Sequence, residues 1–317
     1  MSADAHELIL HHYPMSPFAE KARLMLGCKR LPWRSVIIPA VMPKPDVVAL
    51  TGGYRKTPIL QVGADVYCDT SLIARVLEAR QPQPALYPES APLAPLLAQW
   101  ADALLFPAAV SWAMQPAGAA VIMSGQSPQA LKAFAADRAA MRANAAPRPT
   151  LADAAAQLNA HLAALDAQLR RGGPWLCGAA PSIADFSAGH CLWFIRLAKP
   201  VAALLDDYPA IGPWLDRLFA FGHGRPLDLH SREALAVAAA AGAAGEYAPA
   251  AVEPGMGLQA GQAVVVSATD HGTDPVAGTL VGLNAAESVL RRHDPRAGIV
   301  HVHFPRFGFQ LRAEKKD

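Results

Sequence analysis

The sequence has few cysteines, little charge and few aromatic residues. Its 317 residues include four cysteines that stand far apart in the chain, none of them at the spacing of a zinc site or a redox motif. We therefore expect isolated, reduced thiols and a cytoplasmic location. Charged residues make up 17% of the chain and the net charge is +2, too small to indicate a nucleic-acid partner.

We also expect neither a signal peptide nor a membrane-spanning segment. Residues 1–7 carry acidic side chains rather than the apolar segment of a signal peptide. The longest run of small residues, 234–245, is too short and too weakly apolar to span a bilayer. We therefore expect no membrane partner. Hydrophobic residues still make up 52% of the chain, enough for the cores of two or three domains.

The segment 8–26 is predicted to form a strand followed by a helix. Ser16 and Pro17 form a good helix start, because the serine oxygen accepts hydrogen bonds from free N–H groups and proline needs no partner for an N–H. Glu20 falls in the first turn, where a negative charge suits the helix dipole. Ser16 therefore lies where a strand leads into a helix N-terminus, a position that stabilises anions and thiolates.

Residues 33–80 continue as strand, loop, hairpin and helix, which predicts an α/β layer of about 80 residues. Thr57 and Pro58 precede a strand, and the bond between them is a candidate cis peptide that would leave backbone groups free for a ligand. Asp69 and Thr70 begin the second helix of this layer. Its free N–H groups and the threonine hydroxyl suit a carboxylate.

The rest of the chain divides into a helical part and a β part. Alanine- and leucine-rich runs predict helices at 93–115, 128–143, 150–171, 182–197 and 209–221. Ser182 and Asp185 have the spacing of a capping box. Residues 229–254 are predicted to be a linker with an alanine-rich helix. Short strand-like runs separated by turns predict a small antiparallel β domain at 255–317.

Four of these motifs, in this order, resemble the glutathione S-transferase family. The loop at Ser16-Pro17-Phe18 is similar to the catalytic loop of the serine- and cysteine-type members, in an omega- or zeta-like pattern. Thr57-Pro58 matches the family's cis-proline, and Asp69-Thr70 matches the acid–hydroxyl pair that holds the γ-glutamyl group. Ser182 with Asp185 resembles the capping motif of the helical domain.

The resemblance implies a multidomain α/β plus all-α fold. A thioredoxin-like glutathione-binding domain is expected at 1–88 and an all-helical transferase domain at 93–228. The segment 229–254 and the β domain at 255–317 have no counterpart in the ordinary transferase. The resemblance also implies a homodimer.

The family likeness implies glutathione as co-substrate and a hydroxyl that stabilises its thiolate. Ser16 is preferred for that role because of its spacing to Arg23, and Tyr13 is the alternative. Arg55 as well as Lys56 could meet the glycyl carboxylate. Trp112 and Met114 are implied to line the pocket for a small apolar electrophile. The glutathione-binding set implied is Ser16, Phe18, Lys56, Thr57, Pro58, Asp69 and Thr70.

Serine at position 16 also bears on the reaction type. Without a sulfur nucleophile in the loop, disulfide reduction is disfavoured, and conjugation, peroxide reduction or isomerisation is expected, in a detoxification role. One alternative is a glutathione-binding module without turnover, whose β extension recognises a protein or a metabolite. Another is that the extension covers the active-site cleft. His301 and His303 share a strand face but would need a third ligand, so no metal site is predicted.

Overall fold

The first strand and helix form where the sequence predicts them. In the computed structural model, which describes residues 6–314, β1 spans Ile9–His12 and α1 spans Pro17–Cys28. Strand β1 is buried along its whole length, and Ser16 is the N-cap of α1. Residues 1–5 and 315–317, which include most of the acidic N-terminal segment and the end of the predicted β domain, lie outside the described residues.

The remaining elements of the N-terminal layer complete a thioredoxin-like fold. Strand β1 pairs in parallel with β2 and antiparallel with β3, which forms a hairpin with β4. Helices α1 and α3 pack against each other. The predicted α/β layer is thereby confirmed. Its other elements are β2 (Pro32–Ile37), α2 (Pro45–Thr51), β3 (Ile59–Val62), β4 (Asp65–Cys68) and α3 (Thr70–Arg80).

The middle of the chain is helical, also as predicted. Its elements are α4 (Ala94–Trp100), α5 (Phe106–Ala113), α6 (Pro116–Ile122), α7 (Pro128–Met141), α8 (Leu151–Gly172), α9 (Ile183–Leu197) and α10 (Ile211–Phe219). The helix predicted at 93–115 is interrupted by a π-helical turn at Ala101–Leu105, and α6 was not predicted. A 3₁₀ segment, Lys199–Asp207, was not predicted either.

Helix α9 forms the centre of the helical layer. It packs on α1, α4 and α5, and nearly all of its residues are buried. The predicted capping box is present: Ser182 caps the helix and Asp185 accepts a hydrogen bond from the Ser182 backbone at 2.9 Å. Asp185 also accepts from the indole of Trp214 at 2.9 Å and from the Leu176 backbone at 2.8 Å. The cap is therefore part of the core.

The last part of the chain extends the N-terminal sheet. A short strand, β5 (Arg225–Asp228), pairs with β2, and α11 (Ser231–Ala244) packs against β9 and α2. An antiparallel meander follows, confirming the predicted β region. Its strands are β6 (Ala263–Ala268), β7 (Val276–Leu283), β8 (Glu287–Asp294), β9 (Gly298–Pro305) and β10 (Phe309–Ala313).

The meander continues directly into the thioredoxin-like sheet, which was not predicted. Strand β9 pairs in parallel with β4, so that Asp65 lies opposite His301 and Tyr67 opposite His303. The result is one ten-stranded sheet in the order β10-β6-β7-β8-β9-β4-β3-β1-β2-β5. One hydrophobic cluster joins the two parts, because Ile9 and Val66 belong to the same buried set as Val302.

A polar cluster lies at the β4–β9 junction. The buried ring of His303 contacts Asp65 at 2.9 Å and Glu287 at 3.0 Å, one carboxylate at each nitrogen. Burial opposes a positive charge there, but the two carboxylates outweigh it and raise the pKa of His303. Asp65 also accepts from the Ala248 backbone at 2.7 Å. The Nε2 contact with Asp65 of β4 thus joins the extension to the first sheet, while the Nδ1 contact with Glu287 of β8 lies within the extension.

One described stretch, Ala94–Ala113, is long and apolar enough to cross a membrane by length and composition. It comprises α4, the π-helical turn and α5. A third of the tested window is buried inside the protein. Its apolar character therefore serves, at least in part, the packing of the helical layer.

Candidate functional site

Both candidate hydroxyl residues lie in the tight turn that precedes α1. The Ser16 backbone N–H donates to the Tyr13 carbonyl at 3.2 Å, and the Ser16 oxygen accepts from the Ala19 N–H at 3.2 Å. Ser16 is 2% exposed, whereas Tyr13 is half-buried. The helix N-terminus predicted at Ser16 is thus formed, with the hydroxyl beside the first free N–H groups.

Arg23 holds this turn in place from the next turn of α1. Its guanidinium donates to the carbonyl of Pro14 at 2.9 Å and to that of Tyr13 at 3.4 Å. Glu20 accepts from Arg23 at 2.6 Å and contacts His223 at 3.0 Å. Burial alone would raise the pKa of Glu20, but His223 and Arg23 outweigh it and lower the pKa. The carboxylate therefore stays charged and fixes the arginine.

The cis-proline loop meets the α1 turn. The Thr57–Pro58 bond is cis, as predicted, and the Ser16 hydroxyl lies 3.5 Å from the Thr57 carbonyl, at the outer limit of a hydrogen bond. The two motifs are 41 residues apart in the chain. A hydroxyl held this loosely can turn toward a better acceptor, such as a thiolate.

A buried lysine approaches the same loop. The Lys44 ammonium donates to the Thr57 hydroxyl and to the Arg55 carbonyl, each at 3.3 Å, and lies 5.7 Å from the centre of the Tyr13 ring. Burial, reinforced by Arg138, lowers the pKa of Lys44 to about 8. Lys44 belongs to a proline-rich loop with no motif, so the sequence carried no signal for it.

Asp69 and Thr70 form the predicted second helix N-terminus. The Asp69 carboxylate caps α3 by accepting from the Ser71 N–H at 2.8 Å and the Ser71 hydroxyl at 2.7 Å. Asp69 has a φ of +78°, a region that few non-glycine residues adopt. Strained backbone of this kind is concentrated at ligand sites.

Phe18, Trp112 and Met114 have their described contacts in the helical layer. The Phe18 ring packs against Phe106 with centroids 4.7 Å apart and against His190 at 4.6 Å. The Trp112 indole donates to the Val201 carbonyl at 2.9 Å, and Met114 is partly buried against the main core. Phe18, Trp112 and Met114 thus contact the helical core. The structure brings Ser16, Thr57 and Pro58 together elsewhere, at the start of α1.

The cations beside the cis-proline have carboxylate partners within the chain. Arg55 contacts Asp137 of α7 at 2.7 Å, and the Lys56 ammonium contacts Asp270 of the β6–β7 loop at 2.5 Å. Asp137 also accepts from the Met42 N–H at 3.0 Å, which ties α7 to the loop before α2. The partners of these cations come from distant segments, and the sequence carried no signal for them.

The arrangement is suited to a small anion that carries a nucleophile. The N-terminus of α1 and the Lys44 ammonium supply positive potential on either side of Thr57, and the Ser16 hydroxyl, held only by a 3.5 Å contact, can donate to a ligand. The Thr57 carbonyl, next to cis-Pro58 and just before β3, faces the Ser16 hydroxyl.

Comparisons with known proteins agree with this geometry. Residues 10–85 match the family model of the glutathione S-transferase N-terminal domain, and residues 128–217 match that of the C-terminal domain. A GST-like protein from Pseudomonas syringae, known as a crystal structure, is 44% identical over 97% of this chain and 99% of its own, with a TM-score of 0.77. That likeness includes the β extension. No curated protein matches the sequence.

Two further structures each resemble about two-thirds of the chain. Glutathione transferase F2 from Populus trichocarpa is 16% identical over 67% of this chain and 93% of its own, with a TM-score of 0.51. A glutathione S-transferase III is 22% identical over 68% of this chain and 92% of its own, also with a TM-score of 0.51. At this level of identity the likeness shows the fold alone.

Proposed function

Because the chain belongs to the glutathione S-transferase family, we propose that it activates the thiol of bound glutathione for attack on a small apolar electrophile. The observation that carries this proposal is the meeting of Ser16 with Thr57 beside cis-Pro58. It joins a hydroxyl at a helix N-terminus to the backbone that would hold the cysteinyl part of the tripeptide. Conjugation, peroxide reduction and isomerisation all begin with this activation.

The chemistry follows from the pKa of a thiol. A free thiol with a pKa of roughly 8.5 is ionised to only a few per cent at neutral pH. A hydrogen bond to a charged group contributes about 1.5–3 kcal/mol, which lowers the thiol pKa by about one to two units. Ser16 donates that bond, and the α1 dipole and the Lys44 ammonium favour the negative charge further.

The proposed reaction consists of loss of the thiol proton, formation of a carbon–sulfur bond and departure of a leaving group. The thiol proton leaves to solvent when the thiolate forms. The sulfur lone pair makes a bond to the electrophilic carbon, and a displaced group departs with its bonding electrons. Asp69 and Thr70 hold the γ-glutamyl end at the α3 N-terminus, away from the reacting sulfur. Trp112 and Met114 are proposed to border the electrophile.

Retention on immobilised glutathione and turnover of a generic aromatic electrophile test the proposal. We expect the protein to be retained, to be released by free glutathione, and to form the thioether product. Failure of retention would contradict the proposal. Retention without turnover would favour a glutathione-binding module instead of an enzyme.

We also propose a homodimer, formed through an apolar face of the helical layer. Four leucines on and around α4 and the π-helical turn are exposed, and such a face is typical of an interface. Light scattering is expected to give twice the mass of one chain, and Leu96→Glu is expected to give the single mass. A wild-type monomer at every concentration would contradict the dimer. The leucines are Leu93, Leu96, Leu97 and Leu104.

The four free cysteines support the proposed cytoplasmic location. Three of the four are buried, and all four are free thiols in the described structure. Isolated thiols of this kind are typical of proteins from reducing compartments.

A further inference from the structure

Lys56 lies between the cis-proline loop and the β extension. Its ammonium contacts the Asp270 carboxylate at 2.5 Å and lies 5.8 Å from the centre of the Phe309 ring. Phe309 begins β10 and Asp270 follows β6, so both partners of this lysine come from the extension. A residue next to Thr57 in the candidate site is therefore neutralised by a segment outside the two transferase domains.

The loop that carries Asp270 is fixed at several points. The Thr269 N–H donates to the Gly308 carbonyl at 3.0 Å, and the Gly272 N–H donates to the Met141 carbonyl, at the end of α7, at 2.7 Å. The loop thus bridges the extension and the helical layer, directly beside Lys56. Asp270 is held over the lysine by the fold rather than by the ion pair alone.

The Asp270 carboxylate remains charged over a wide pH range. Burial alone would raise its pKa, but His271 at 3.0 Å and Lys56 outweigh that effect and hold the pKa far below its usual range. The Asp270 side chain is still 55% exposed. An ion pair with this exposure is worth little in water, so removal of the Asp270 charge should change the binding of a carboxylate ligand by only several-fold.

The three cations around Thr57 differ in their partners. Arg55 has Asp137, Lys56 has Asp270, and Lys44 donates to a carbonyl and a hydroxyl. Glutathione carries two carboxylates, one at each end. With its sulfur at Ser16 and its γ-glutamyl end at Thr70, the glycyl carboxylate is left to meet these cations. Lys44 is the cation proposed to favour the thiolate, so the glycyl carboxylate would meet Arg55 and Lys56, which are both already neutralised from within the chain.

We propose that Asp270 is a specificity-determining residue of this site. The inference rests on the proposed function. The extension places its own carboxylate on Lys56, so a free glycyl carboxylate gains little there beyond what Asp270 already supplies. The site consequently accepts glutathione derivatives whose glycyl carboxylate is blocked as an amide nearly as well as glutathione itself. The substrate class therefore includes thiol peptides extended or amidated at this end.

The test compares the dissociation constants of glutathione and of its glycinamide form by titration calorimetry. For the wild-type protein we expect a ratio near one. In Asp270→Asn, glutathione is expected to bind about fivefold more tightly, the equivalent of one exposed ion pair, while the amide is unchanged. Asp274→Asn, in the same loop at an exposed position, is the matched control and should behave as the wild type.

A second variant separates the charge effect from a structural one. Adding Lys56→Gln to Asp270→Asn should return the ratio to about one, because the cation is then absent. A loop that merely loses order would weaken both ligands together and leave the ratio unchanged. An unchanged ratio in Asp270→Asn, with glutathione still bound, would overturn this inference alone. Absence of binding of either ligand to the wild type would overturn the proposed function and this inference with it.

Discussion

Replacing Ser16 with alanine is expected to lower kcat/KM for an aromatic electrophile about 10- to 30-fold at neutral pH, because the bound thiol is then ionised to only a few per cent. The pH profile should change with it. Without the donated hydrogen bond, the pKa of the bound thiol returns toward that of a free thiol, roughly 8.5, so activity recovers as pH rises. Ultraviolet absorbance of the thiolate in the binary complex measures the same shift directly.

Two control variants distinguish catalysis from helix capping at this position. Ser16 also caps α1, so alanine is expected to cost about 0.5–2 kcal/mol of stability whatever its catalytic role. Ser16→Thr keeps both the cap and a hydroxyl and should retain much of the activity. Tyr13→Phe removes the rival hydroxyl. Loss of thiolate absorbance in Tyr13→Phe, with none in Ser16→Ala, would assign the role to Tyr13 instead.

The largest effect on stability is expected at Asp185. Its buried carboxylate accepts from four donors: the Leu176 N–H, the Ser182 N–H, the Ser182 hydroxyl and the Trp214 indole. In Asp185→Ala these buried donors lose their partner. We expect the free energy of unfolding to fall by about 3–5 kcal/mol, since each buried unsatisfied group costs about 1–3 kcal/mol and neighbouring losses are not fully additive.

The chain supplies a matched control for this prediction. Thr150 and Asp153 form the same capping box at the start of α8, but on the surface. Asp153→Ala should therefore cost about 1 kcal/mol or less. Urea unfolding followed by circular dichroism measures both variants. Equal losses at the two positions would mean that Asp185 acts only as a helix cap and not as a hub of the helical core.

Local patterns accounted for most of the N-terminal layer. Strand β1, helix α1 and the cap at Ser16 depend on residues close together in the chain, so burial periodicity and capping chemistry predicted them. The cis bond at Pro58 followed from a proline before a strand and from family likeness. The capping box at Ser182 was equally local. These features needed no knowledge of the tertiary structure.

The unpredicted features depend on contacts between distant segments. The β4–β9 pair joins Asp65 to His303, and neither strand carries a signal for its partner. Lys44 gained its place at the site only through the packing of its loop against Thr57. The helix predicted at 93–115 was interrupted at Ala101–Leu105, where Asp102 contacts Lys21 at 2.6 Å and His190 at 3.0 Å.

The β4–β9 pairing also dictates when the protein can finish folding. Asp65 and His303 are 238 residues apart, so at roughly 5–20 residues per second a ribosome needs about 12–48 s to make the partner after β4 has emerged. For that time the nascent chain carries an open strand edge, the kind that recruits other chains. The edge of the N-terminal sheet at β4 is covered only by β9, the ninth of the ten strands. The speed of translation therefore affects the yield of folded protein.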